Sequence, residues 1–299
     1  MSLPLLAAVE AGGTKFVCGV GTGPDDLHTT RFPTEDPATT LAAAKAFFAE
    51  QRATRGEISA LGVGTFGPAD IDPNSGKFGH ILNTPKPGWK WTDLLGDLLS
   101  ELGDIPAAFD TDVNAAAWGE MRWGAAQGLA DFVYITVGTG IGGGAVSGGR
   151  LVHGTSHPEI GHLHIPRHET DRNFKGTCPF HADCLEGLAA GPALEKRWGQ
   201  NPKSLAIDHP AWDLEARHLA DALVNLSLTL APQRFILGGG VMDQPQVFPL
   251  LRKHFLTRVA GYRETPQIEE FIVPPGLGSR AGVLGALALA ADALEASPR

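Results

Sequence analysis

Short apolar runs separated by glycine turns open the chain. LLAAV (5–9) and FVCGV (16–20) flank EAGGTK and predict a hairpin, and HTTRF (28–32) offers a third strand. Helical spacing follows Pro37 over residues 37–55, with Leu41, Ala44, Phe47 and Phe48 as the apolar stripe. ALGVGTFGPADI (60–71) reads as a strand feeding a Gly-Pro loop. WTDLLGDLLSELG (91–103) reads as an amphipathic helix, capped by Thr92 or Asp93 and ended by Gly103. IPAAFDTD (105–112) is a strand and VNAAAWGEMRWG (113–124) a helix. DFVYITV (131–137) and GAVSGGRLV (144–152) are strands on either side of a glycine run. Residues 186–199 and 213–231 are helical, and RFILGGGV (234–241) is a strand entering a turn. QIEEFIVPP (267–275) reads as the last strand and SRAGVLGALALAADAL (279–294) as a closing apolar helix. The order β-β-β-α-β-α, then β-β, then α and β again predicts two α/β halves with a boundary near residue 112.

Composition narrows the class. At 299 residues the chain can bury a sizeable core without staples, and its net charge of −9 favours neither nucleic acid nor an anionic membrane as partner. No run approaches the length of a membrane span, and MSLPLLAAVEAGGTK lacks the basic start of a signal peptide. With 3 cysteines and no export signal, the expected compartment is the cytoplasm, where clustered thiols point to metal or catalysis rather than a disulfide.

Three glycine turns follow strands: AGGTK (11–15), VGTGIGGG (137–144) and LGGGV (237–241). Such turns bring backbone N–H groups close to phosphate oxygens with no Cβ in the way. Gly138, Gly140 and Gly143 formally satisfy G-x-G-x-x-G, but a β-like segment follows where a dinucleotide fold needs a helix. No G-x-x-x-x-G-K-[ST] loop is present either. A phosphate held in the turns of two facing hairpins remains. A second signal is GTCPFHADCLEG (176–187), in which Cys178, His181 and Cys184 stand three apart and can fold round one ion, leaving one ligand to come from elsewhere.

EAGGTK, YITVGTGIGGG and LGGGV together resemble the sugar kinase and actin superfamily. PEIGH (158–162) and CPFHADCLE (178–186) narrow the resemblance to the ROK family of sugar kinases, across the whole chain. Glu10 and the C-x-x-H-x-x-C segment are similar to its zinc-containing bacterial fructokinase branch. Most members carry C-x-C-G-x-x-G-C instead, and many have Asn where Thr111 stands.

The resemblance implies a two-domain actin-like α/β fold of ribonuclease H-like halves, with an active-site cleft between domains that close on the sugar. The domains expected are residues 1–112 completed by 283–299, and a larger one of residues 113–282 with the zinc loop. It implies ATP-dependent phosphorylation of a hexose at the 6-hydroxyl, most simply fructose to fructose 6-phosphate, the alternative being a glucose or mannose kinase. Asp112 matches the catalytic base that accepts the hydroxyl proton, with Asp110 as local competitor. Asn83, Glu159, His162 and Glu186 would bind the sugar; Gly12, Gly13, Thr14, Lys15, Thr139, Gly140 and Gly239 would cradle ATP. Magnesium would bridge the phosphates with help from Glu10. A structural Zn2+ would take Cys178, His181, Cys184 and His162 as ligands, with His164 competing for the fourth place. A homodimer is the implied assembly. Two other classes are expected to fail: a ROK repressor needs a helix-turn-helix ahead of a hairpin that here begins by residue 10, and a zinc hydrolase needs an open metal site.

Overall fold

In the computed structural model, which describes residues 3–297, the chain forms two compact units. One takes the chain up to Gln127, the segment His153–His157 and the chain from Ser279 onward; the other takes Gly128–Val152 and Pro158–Gly278.

The first unit runs β1 (Leu5–Ala11), β2 (Lys15–Gly21), β3 (His28–Pro33), α1 (Pro37–Arg55), β4 (Ile58–Thr65), α2 (Leu94–Leu102), β5 (Ala107–Thr111) and α3 (Asp112–Trp123). Its sheet has the order β3-β2-β1-β4-β5, with β1 antiparallel to β2, parallel to β4, and β4 parallel to β5. Central strands of such a sheet are covered on both faces and so read as unbroken apolar runs, as β1 and β4 do. Leu41, Ala44 and Phe48 of α1 enter the core while Phe47 is only partly buried. Asp93 rather than Thr92 caps α2, its Oδ1 accepting the Gly96 N–H at 2.9 Å.

The second unit contains β6 (Phe132–Val137), β7 (Ile141–Ser147), β8 (Arg150–Leu151), α4 (Leu185–Ala189), α5 (Gly191–Trp198), α6 (Ala211–Leu230), β9 (Arg234–Gly238), α7 (Val247–Val259), α8 (Ile268–Phe271) and β10 (Ile272–Val273). Its sheet has the order β10-β9-β6-β7-β8 and repeats the scheme of the first: an antiparallel hairpin, β6–β7, whose first strand takes a parallel neighbour, β9. Trp212, Phe235, Phe255 and Phe271 are fully buried at its centre. The last helix, α9 (Ala281–Ala296), belongs to the first unit and lies on α3, β4 and β1, with Val283, Leu284, Ala286 and Leu287 buried.

Four segments depart from the sequence pattern. The expected strand 144–152 is two, β7 starting at Ile141 inside the glycine run and β8 following the turn at Gly148 and Gly149. Residues 186–199 are two helices, because Pro192 has no N–H to carry a helix through and instead sits in the first turn of α5. Residues 267–275 give only two strand residues, paired to Phe235 and Ile236 of β9, after the one-turn helix α8. Helix α7 was not signalled at all.

Candidate active site and metal centre

Each unit presents a hairpin turn of the expected kind. In the first, Gly12 N–H donates to Lys15 O at 2.9 Å and Thr34 Oγ1 donates to Gly12 O at 2.6 Å, which pins the turn from β3. The Glu10 carboxylate lies below it, 3.8 Å from Lys15 Nζ. Burial raises its pKa, with the Lys15 charge and a hydrogen bond from the Val283 backbone opposing. In the second unit, Gly138 N–H donates to Gly140 O at 2.9 Å and closes the β6–β7 turn. Gly239 follows β9 with φ +92°, where a Cβ would also overlap the Val137 backbone; only glycine fits. Val241 N–H donates to Val137 O at 3.0 Å, so the two glycine turns of this unit are joined.

Asp110 and Asp112 part company at the end of β5. Asp110 is buried and fully engaged: Oδ1 accepts the Thr111 N–H and the Asn114 side-chain N–H, both at 2.7 Å, and Oδ2 lies 2.8 Å from His153 Nε2. That hydrogen bond raises the His153 pKa against the opposing effect of burial. Asp112 is the first residue of α3, and its Oδ1 accepts the Val113 N–H at 2.9 Å. The capping role goes to Thr111, whose hydroxyl accepts the Asn114 N–H at 3.2 Å. The helix therefore does not depend on Asp112 for its cap. Asn83 is exposed in the loop between β4 and α2.

The second unit brings the other predicted residues together. His162, Cys178, His181 and Cys184 offer donor atoms that all lie within 4.8 Å of one another. A tetrahedral zinc with ordinary bond lengths sets neighbouring nitrogen and sulfur ligands roughly 3.5 Å apart. His162 Nδ1 is 3.4 Å from Cys184 Sγ and 3.8 Å from Cys178 Sγ, and Cys178 Sγ is 3.8 Å from His181 Nδ1. The donor set fits. His164 is exposed and outside this group, its ring 5.9 Å from that of His181. The loop is shaped for the purpose: Cys178 and Ala182 exchange backbone hydrogen bonds at 3.2 and 3.0 Å, and Ala182 turns the chain at φ +57°. Burial pushes the Cys184 thiol up to about 11, so metal uptake must displace its proton. His162 presents Nδ1 to this cluster, which leaves Nε2 for a second partner. Glu159 is exposed just ahead of the short turn carrying His162, and Glu186 lies in the first turn of α4.

Sequence reasoning missed the ionic groups behind this loop. Arg197 of α5 forms a two-pronged pair with Asp171 (2.8 and 3.1 Å) and donates to Leu188 O at 2.7 Å. Arg167 pairs with Asp183 at 3.0 Å and also reaches the carbonyls of Asp171 and Phe174. Beneath them on α6, burial raises the Glu215 pKa well above the usual range and pushes His218 down to about 2. The i, i+3 spacing of Glu215 and His218 inside an apolar helical stretch was the available signal. A cavity of about 790 Å³ opens beside this network, lined by His168, Asp171, Phe174, Arg197, Trp198 and Arg217 among others, and by none of the residues assigned to sugar or ATP.

The ROK family profile matches residues 6–293. The chain belongs to the ROK family. A fructokinase from Pediococcus pentosaceus is 43% identical over 292 residues, covering 97% of this chain and 99% of that protein. A putative fructokinase from Bacillus subtilis (strain 168) is 45% identical over 297 residues, covering 98% and 97%. The crystal structure of a ROK family glucokinase from Streptomyces griseus in complex with glucose and AMPPNP matches with a TM-score of 0.76 at 28% identity, over 96% of this chain and 99% of that one. The two α/β units are thus those of the two-domain actin-like fold of ROK sugar kinases. Among the described residues, no helix is long and apolar enough to cross a membrane.

Proposed function

We propose that this ROK protein is a fructokinase, transferring the γ-phosphoryl group of ATP to the 6-hydroxyl of fructose. The observation that carries the reading is full-length similarity to proteins named fructokinase at 43–45% identity, against 28% for the glucokinase crystallised with glucose. Glucose or mannose phosphorylation is the alternative within the family. The site residues support a kinase on chemical grounds.

Asp112 accepts the proton of the attacking hydroxyl; Asp110, with both oxygens engaged, orients Asn114 and His153 instead. Asn83, Glu159, His162 and Glu186 hold the sugar, the carboxylates suiting vicinal hydroxyls. Gly12, Gly13, Thr14 and Lys15 meet the phosphates from one hairpin, and Thr139 and Gly140 from the other, with Gly239 beside the nucleoside. Gly138 N–H is used inside the second turn and Ile141 N–H on the Glu186 carboxylate, so Thr139 and Gly140 supply its donors. Mg2+, when bound, neutralises phosphate charge, and the Glu10 carboxylate beside Lys15 would hold its water shell. His162, Cys178, His181 and Cys184 would hold Zn2+, which would crosslink their two segments rather than serve as a reaction centre, because four protein donors leave no place for water. We also assign the protein to the cytoplasm as a homodimer.

The test is sugar-dependent ADP formation with fructose, glucose, mannose and N-acetylglucosamine, with ATP and magnesium. Fructose should show the highest kcat/KM. A preference for glucose would move the assignment to the alternative, and ATP consumption independent of any sugar would reject the kinase reading.

A further inference from the structure

The candidate metal-binding segments meet the backbone of the β6–β7 glycine turn at three points within the second unit. Glu186, two residues after Cys184, accepts the Ile141 N–H on Oε2 at 3.0 Å. Gly191, at the far end of α4 and the start of α5, donates its N–H to Gly138 O at 2.7 Å. Gly161, next to His162, lies so close to Ile141 that a Cβ there would overlap the Ile141 carbonyl oxygen. The two metal-bearing segments are themselves joined, Leu185 N–H donating to Leu163 O at 2.8 Å.

We propose that the metal centre anchors the phosphate turn 138–141, with Glu186 as the positioning residue that transmits its geometry to the nucleotide. The proposal rests on the kinase reading above. A turn whose N–H groups must converge on a phosphate has few side chains of its own to fix it, because three of the five residues 138–142 are glycine and the other two are Thr139 and Ile141. Its shape is held from outside, by the Glu186 carboxylate on Ile141 N–H and by Gly191, at the start of α5, on Gly138 O. Both supports begin at Cys184. A crosslink through His162 and Cys184 holds them on either side of Ile141, so loosening the crosslink lets the turn relax. Sugar and nucleotide affinity are then both sensitive to the metal, through different atoms of one side chain: Oε2 of Glu186 on the turn, and Oε1 left for the sugar.

Three preparations separate these roles, with AMPPNP and fructose affinities measured by titration calorimetry and zinc by elemental analysis. Glu186→Ala should weaken AMPPNP binding about tenfold, the scale of a lost hydrogen bond to a charged group. Glu186→Gln retains an oxygen for the Ile141 N–H and should bind AMPPNP within about threefold of the wild type while its fructose affinity falls. Reversible chelation of the wild-type enzyme should weaken AMPPNP as Glu186→Ala does, with recovery on adding zinc. Unchanged AMPPNP affinity in folded Glu186→Ala, or after complete zinc removal, overturns the anchoring role and leaves the kinase reading intact. Absence of AMPPNP binding by the zinc-loaded wild type overturns both.

Discussion

Replacing Arg197 by methionine keeps the length and apolar stem of the side chain and removes its charge. The pair it forms with Asp171 is nearly dry, with side chains 7% and 3% exposed. The guanidinium also covers the Phe174 ring at 4.1 Å and supports Leu188 O. Breaking a buried pair by deleting one partner costs about 3–5 kcal/mol, because the remaining charge is left without compensation. At roughly 2–4 °C per kcal/mol for a protein of this class, the Tm should fall by about 6–20 °C. The diagnostic comparison is the double variant Arg197→Met with Asp171→Asn, which no longer strands a carboxylate and should regain about 2 kcal/mol. Thermal unfolding followed by circular dichroism reads both. Leu188 shares α4 with Glu186, so fructose KM should rise more than kcat falls. A single variant within 2 °C (roughly 1 kcal/mol) of wild type, or a double variant no better than the single, would refute the view that this pair holds the metal loop.

Other outcomes follow from the site. Asp112→Asn cannot take a proton but preserves shape, and Thr111 keeps the helix cap, so kcat should drop ~10²-fold or more with AMPPNP and fructose binding retained; near wild-type turnover would remove Asp112 from the mechanism. Cys184→Ser should leave the purified protein with well under one zinc per chain by elemental analysis, and full occupancy would exclude that thiol as a ligand. Glu215 has a folded-state pKa raised by burial, so the proton it keeps is one the unfolded chain releases above its ordinary range. Its stabilising contribution is therefore complete below about pH 4.5 and declines as pH rises toward the folded pKa. Glu215→Gln should raise the Tm at pH 8 and leave it unchanged at pH 4; the opposite ordering would mean the carboxylate is ionised in the fold.

The parts of this molecule that could be read in advance are those whose signal is local. Hairpin turns announce themselves through adjacent glycines, and three of the four residues of the candidate metal cluster fall within Cys178–Cys184. His162 could be named only through resemblance, because nothing in its spacing favours it over His164; the fold decides by turning His162 Nδ1 toward the sulfurs. Pairs such as Asp171–Arg197 and Asp110–His153 were not legible, since their partners stand 26 and 43 residues apart and meet only once helices and strands are packed. The one-turn helix α8 was hidden by the β-like FIV at its end, of which Phe271 closes the helix and only Ile272 and Val273 find a partner strand. Capping illustrates the same limit on a smaller scale: Asp112 suits a helix start as well as Thr111 does, and only the hydroxyl-to-Asn114 bond assigns the cap.

The most direct test of the central claim is to identify the product. The zinc-loaded enzyme, incubated with fructose, ATP and magnesium, is followed by phosphorus and carbon NMR. Fructose 6-phosphate and ADP should appear in equal amounts, with the phosphorus coupled to carbon 6. Phosphate on carbon 1, or ADP with free phosphate and no sugar ester, would contradict the account.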